Sequence, residues 1–186
     1  MDFIALGGTD ETGASCYYIE LAGTRILLDC GKGFNKVNGF DYGVNFSKLL
    51  DYADMVSLSQ IDAVFISHAH FDHIAYLSYI ARECRNTPVY ATHITKVLGR
   101  HLMWDRLQLG SRPGDGGMLP DDALNNIHTV SYGRPVRIGN VKADFYNAGH
   151  IPGAMMVYFE SDEKNVLYTG DFMKKGSYLT TGYRNL

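Results

Sequence analysis

The sequence predicts an α/β (α+β) sandwich, on three observations. Most apolar runs are short and bounded by turn residues, as strands are. Two or three stretches of helical period lie between them, too few for a helix bundle. Hydrophobic residues make up 46% of the 186 and charged residues 20%, which is material for a packed core and unlike a disordered chain.

The elements follow in order. Residues 3–6 are a short apolar run closed by Gly7-Gly8. Runs at 16–21 and 25–28 flank Ala22-Gly23-Thr24 and read as a hairpin. The second run ends at Asp29-Cys30-Gly31, and 31–45, rich in Gly and Asn, reads as a loop. Residues 46–52 are one or two helical turns. Residues 61–66 are apolar with β-branched members and predict a buried strand. That strand empties into Ser67-His68-Ala69-His70-Phe71-Asp72-His73. Beyond it Ile74, Leu77, Ile80, Ala81 and Cys84 recur at helical spacing, so a helix starts near Asp72 or His73. A strand at 88–91 and a helix at 95–109 come next, then a glycine- and proline-rich surface loop at 110–120. The last third is strand-rich: 136–138 meets 141–146 across Gly139-Asn140, and 154–159 meets 165–168 across a polar turn.

Composition narrows the function classes. No apolar run approaches the roughly 18–20 residues of a membrane span. The N-terminus lacks the basic and apolar regions of a secretory signal. Cys16, Cys30 and Cys84 are odd in number and without CxxC spacing, so they read as reduced, mostly buried thiols of a cytoplasmic protein. The net charge of −3 neither demands nor excludes nucleic acid. Arg134, Arg137 and Lys142, like Lys174 and Lys175, read as solvated surface, and His93, His101 and His128 stand outside any ligand pattern.

The chemistry concentrates at the end of the strand at 61–66. In an extended loop, residues i, i+2 and i+4 project to one side, so His68, His70 and Asp72 converge while His73 enters from the first helical turn. Three histidines and an aspartate within six residues have no packing rationale. Imidazole suits zinc, and a carboxylate adds charge to hold a second ion. His150, between Gly149 and Pro152-Gly153, and Asp171, after Gly170, also follow strands and join the set by residue type and location.

These motifs, His68-x-His70-x-Asp72-His73 with the later His150 and Gly170-Asp171, resemble those of the metallo-β-lactamase superfamily. Residues 7–15, Asp29-Cys30-Gly31, and the stretches 88–92, 148–154 and 168–172 are similar to its β-CASP branch, which holds RNA-processing nucleases. The resemblance implies an αββα sandwich with two zinc ions at its edge. His68, His70 and His150 would hold one ion, Asp72 and His73 the other, and Asp171 would bridge both. Asp72, His73 and Asp171 would then serve catalysis around a shared water, with RNA phosphodiesters as substrate. Asp29 and Ser67 are candidates for fixing imidazole tautomers. Residues 1–186 are then expected to be the N-terminal portion of such a domain. Its β-CASP insert, a late seventh ligand and the C-terminal side of the sandwich would lie elsewhere. A homodimer, or the missing C-terminal half, is the expected partner. The same scaffold also serves hydrolases of thioesters, lactones or small phosphoesters, and fold alone does not choose among them.

Overall fold

A computed structural model describes residues 1–9, 12–33, 36–37, 40–41, 44–108 and 120–183. Strands β1 (Asp2–Gly7), β2 (Cys16–Leu21) and β3 (Thr24–Leu28) form an antiparallel meander. The β2–β3 turn is Ala22-Gly23, both at positive φ (49° and 73°), the two-residue turn whose twist matches the strands it joins. Thr24 therefore belongs to β3 rather than to the turn. The stretch read as a loop holds a small two-stranded ladder, β4 (Lys36–Val37) with β5 (Phe40–Asp41). Its strands are too short for period-2 alternation to reveal. Helix α1 (Phe46–Tyr52) follows, capped by Asn45, whose side chain accepts from Lys48 N at 3.0 Å.

After a single 3₁₀ turn at Leu58–Gln60, strand β6 (Ala63–Phe65) lies parallel to β3. It is buried at every residue, which explains a sequence that is apolar throughout rather than alternating. The helix expected after His73 is two helices, α2 (Phe71–Ile74) and α3 (Leu77–Glu83), broken at Ala75-Tyr76. At the break Tyr76 N donates to Cys30 O at 2.8 Å, so a tertiary hydrogen bond bends an otherwise continuous helical pattern. Strand β7 (Val89–Thr92), helix α4 (His93–Gln108), helix α5 (Pro120–Asn125) and strand β8 (Ile127–Val130) complete the first half. The polar exposed centre of β8, His128-Thr129, hid it from the sequence. Strands β9 (Val136–Ile138), β10 (Val141–Asn147), β11 (Met155–Glu160) and β12 (Val166–Tyr168) form the expected antiparallel set.

Two sheets result, six-stranded in the order β1-β2-β3-β6-β7-β8 and four-stranded in the order β12-β11-β10-β9. They pack face to face. Ile19, Ile26, Leu28 and Phe65 of the first meet Val141, Ala143, Phe145, Val157 and Phe159 of the second, all buried. Phe65 is the hub, its ring 5.1 Å from Phe159 edge-on and 6.1 Å from Phe145. Burial of one such ring stabilises by roughly 1.5–3 kcal/mol. The other face of the six-stranded sheet carries Ile4, Tyr18, Leu27, Val64 and Val89 against Leu49, Ile74, Leu77, Ile80 and Leu124 of the helices. The outer face of β10 is polar, and there Lys142 pairs with Asp144 (2.8 Å) and Glu160 (3.2 Å). Among the described residues no helix is long and apolar enough to cross a membrane.

This topology positions the site. Strands β3 and β6 are parallel, so both end at one edge, and Asp29 N donates to Phe65 O at 2.8 Å there. Strands β10 and β12 both run antiparallel to β11, so they too finish together. The two edges are joined where Met155 N donates to Ser67 O at 2.9 Å. Side chains following the strand ends therefore gather at one rim of the sandwich.

Candidate metal centre

Four polar side chains meet at that rim. Ligand-type atoms of His68, His70, His150 and Asp171 all lie within 4.8 Å of one another. His68 Nε2 is 3.0 Å from His70 Nδ1, and His150 Nε2 is 3.1 Å from the same atom. The Asp171 carboxylate faces two ways. Its Oδ2 lies 3.5 Å from His150 Nε2 and 3.9 Å from His68 Nε2, while Oδ1 lies 3.6 Å from His73 Nε2. Asp72 Oδ2 is 3.7 Å from His73 Nε2. All six sequence-predicted site residues thus stand around one small volume, Asp72 and His73 on the Asp171 side of it. Burial is graded: His68 and His73 are buried, whereas the Asp171 side chain is 48% exposed.

A buried scaffold holds the inner histidines. Asp29 is fully buried, at a positive φ of 58° that aspartate tolerates better than most residues. Its Oδ1 accepts from Ser67 N at 2.6 Å. Its Oδ2 accepts from Ser67 Oγ at 2.7 Å and from Tyr168 OH at 2.5 Å, and lies 2.7 Å from His73 Nδ1. Ser67 Oγ is also 3.0 Å from His68 Nδ1. The Asp29 carboxylate beside Nδ1 favours the His73 tautomer that carries its proton there and leaves Nε2 facing Asp72 and Asp171. Ser15 Oγ approaches that Nε2 at 3.4 Å. Asp29 and Ser67 were legible as candidates. Tyr168 and Ser15 were not, and the single available signal was strand parity, which puts Tyr168 and Val166 on the same face.

The loops are seated by backbone contacts. Ser15 N donates to Asp72 O and Cys30 N to His73 O, each at 2.9 Å. Gly31 passes so close that a Cβ there would sit 1.5 Å from Asp72 O. This explains the Asp-Cys-Gly run beneath the ligand loop. Glu11, in the N-terminal glycine stretch, lies outside the described residues.

Protonation follows from burial and neighbours. Burial, then the imidazoles of His73, His70 and His150, push the His68 pKa from 6.5 down to about 2. Burial and His150 lower His70. For His73 burial also pulls downward, but the charge and hydrogen bond of Asp29, with Asp72 and Asp171 behind, raise it overall.

Residues 9–183 match the metallo-beta-lactamase superfamily model. Endoribonuclease YSH1 of Yarrowia lipolytica is 35% identical over 179 residues, covering 93% of this chain and 21% of that protein. Ribonuclease TTHA0252 of Thermus thermophilus is 30% identical over 172 residues, covering 92% and 38%. The chain therefore spans about a fifth to two fifths of the length of these relatives. A protein of unknown function from Enterococcus faecalis shares the fold, with a TM-score of 0.66 at 18% identity over 92% of this chain and 43% of that one. At that identity the likeness speaks for the fold alone. Sandwich, rim and nearly full-length sequence match agree, and the chain belongs to the metallo-beta-lactamase superfamily.

Proposed function

We propose that this chain carries the metal centre of a zinc-dependent ribonuclease of the β-CASP branch, a hydrolase of RNA phosphodiesters. The observation that carries the reading is the two-way carboxylate of Asp171, with one oxygen towards His150 and His68 and the other towards His73. The donor chemistry fits a metal. Three imidazoles and a carboxylate converge, and burial keeps His68 and His70 neutral, the form a ligand needs. On this reading His68, His70 and His150 would hold one ion, Asp72 and His73 would hold a second, and Asp171 would be shared between them. An imidazole-rich set favours zinc. When bound, two such ions supply Lewis acidity to a phosphodiester and acidify water.

The chain's own residues do the rest. Asp29 holds the Nδ1 proton of His73 and so presents Nε2 to the site. On this reading Asp72, whose side chain is 19% exposed with Oδ2 3.7 Å from His73 Nε2, would orient a water and accept its proton. Buried His68 closes the inner wall against solvent. RNA as substrate is supported by the endoribonuclease and ribonuclease names of the relatives. A reducing, cytoplasmic setting is supported by the free, buried state of Cys16, Cys30 and Cys84.

The test is elemental analysis of chain purified without chelator, followed by cleavage assays on end-labelled RNA. About two zinc ions per chain and RNA cleavage lost in Asp171→Ala are expected. Chain without metal overturns the metal-centre reading. Metal-loaded protein that hydrolyses a thioester or lactone but not RNA overturns the substrate.

A further inference from the structure

We infer that Asn147 is a positioning residue that holds His150 against Asp171 by tying the His150 loop to the chain returning from Asp171; the inference rests on the metal-centre reading above. Asn147 ends β10 three positions before His150. Its Oδ1 accepts from Gly149 N at 3.0 Å, fixing the first bend of the loop. Its Nδ2 donates to Gly182 O at 3.2 Å and Thr181 Oγ1 at 3.3 Å, on the far side of the returning segment. One planar amide therefore engages both pieces of chain, and rotating it to suit one breaks its bond to the other.

The segment it grips begins two residues after Asp171 and lies along the His150 loop. Met173 N donates to Ala148 O at 2.9 Å, Tyr183 N to Met173 O at 2.9 Å, and Thr180 Oγ1 to Gly149 O at 2.7 Å. Gly149 has φ of 74°, and a Cβ there would lie 2.4 Å from Tyr183 N and 2.5 Å from Met173 O. The returning backbone thus rests directly on the glycine. Tyr183 packs on Ala148, Ala154 and Met156, and its ring meets Phe172 at 5.8 Å. The result is a closed strap that starts at one candidate ligand and ends on the residue before the other. Without it, the 3.5 Å separation of His150 Nε2 and Asp171 Oδ2 would depend on two independent loops.

The experiment compares wild type, Asn147→Ala and Thr180→Val by zinc affinity, in competition with a chromophoric chelator. The visible spectrum of the cobalt-loaded proteins is the second readout. Loss of a partner outside the ligand set weakens metal binding by roughly 10–100-fold. A loss of that order is expected for Asn147→Ala, with altered cobalt bands and an unchanged far-ultraviolet circular dichroism spectrum. Thr180→Val should shift both readouts the same way, and it decides the matter if Asn147→Ala does not fold. Wild-type affinity and cobalt bands in the folded variants overturn the inference and leave the metal centre standing. Wild type that binds neither metal overturns the metal-centre reading and this inference with it.

Discussion

Asp29 Oδ2 and His73 Nδ1 lie 2.7 Å apart, although 44 positions separate the two residues in sequence and both are buried. The same carboxylate takes both donors of Ser67 and the hydroxyl of Tyr168. Four groups, from the ends of β6 and β12 and from α2, therefore depend on one acid. Asp29→Ala leaves them without an acceptor in a dry site, at about 1–3 kcal/mol each. We expect a loss of at least about 3 kcal/mol in urea unfolding of the metal-free chain. A loss under about 1 kcal/mol would mean that water replaces the carboxylate there.

Gly31→Ala tests the seat of the ligand loop. The new Cβ would fall 1.5 Å from Asp72 O, so either the 29–31 turn or the start of α2 has to move. Neither can move without breaking the hydrogen bonds of Cys30 N to His73 O and Ser15 N to Asp72 O. The variant should be insoluble or should lose its metal, read by expression and by elemental analysis. Gly133, with nothing within 4 Å of an added Cβ, is the control: its φ of 70° makes alanine mildly unfavourable, and metal content should be unchanged.

The histidines give the metal-free chain a stability maximum in pH. His68 has its pKa lowered from 6.5 to about 2, so the unfolded chain binds a proton that the folded chain refuses. Its contribution is complete above pH 6.5 and is lost as pH falls from there towards 2. Lowered His70 acts in the same direction. His73 is raised, so its contribution is complete below 6.5 and is lost as pH rises through its folded pKa. Tm measured against pH should peak near 6.5 and fall on both sides. His68→Asn should flatten the limb above the carboxylate range, from 6.5 down to about 4. An unaltered limb in that variant would remove His68 from the account.

Zinc should act as a folding ligand. At a free concentration about a hundred times Kd, a bound ion adds about 2.7 kcal/mol. Thermal scans should show Tm rising with zinc and returning to the metal-free value with excess chelator. Asp171→Ala should reduce this response, because its carboxylate faces the imidazoles on both sides of the site.

Phe65→Ala tests the junction between the sheets, since its ring meets Phe145, Phe159 and Tyr90. Truncating a buried Phe costs roughly 3–5 kcal/mol. Because Phe65 lies three residues before His68, the same variant should also loosen metal binding, measurable in the chelator competition.

Local chemistry was enough to read much of this from sequence. The β2–β3 hairpin, the buried run of β6, the strand pairs of the last third and the crowded His68 to His73 segment each announce themselves within a few residues, where alternation, turn chemistry and residue type are complete signals. His150 and Asp171 were legible by type and by their place after strands. Other features needed the tertiary structure, because their causes lie far away in the chain. The break between α2 and α3 is made by Cys30 O capturing Tyr76 N. Strand β8 exists because β7 offers it an edge, despite an exposed polar centre. Tyr168 and Asn147 look like ordinary strand-end residues until Asp29 and the strap around Gly182 arrive beside them. Residue type and spacing identify which side chains have the chemistry to hold a metal. The parallel pairing of β3 with β6, and the closure of one sheet on the other, decided that they meet, since convergence depends on distances across the fold that no local pattern encodes.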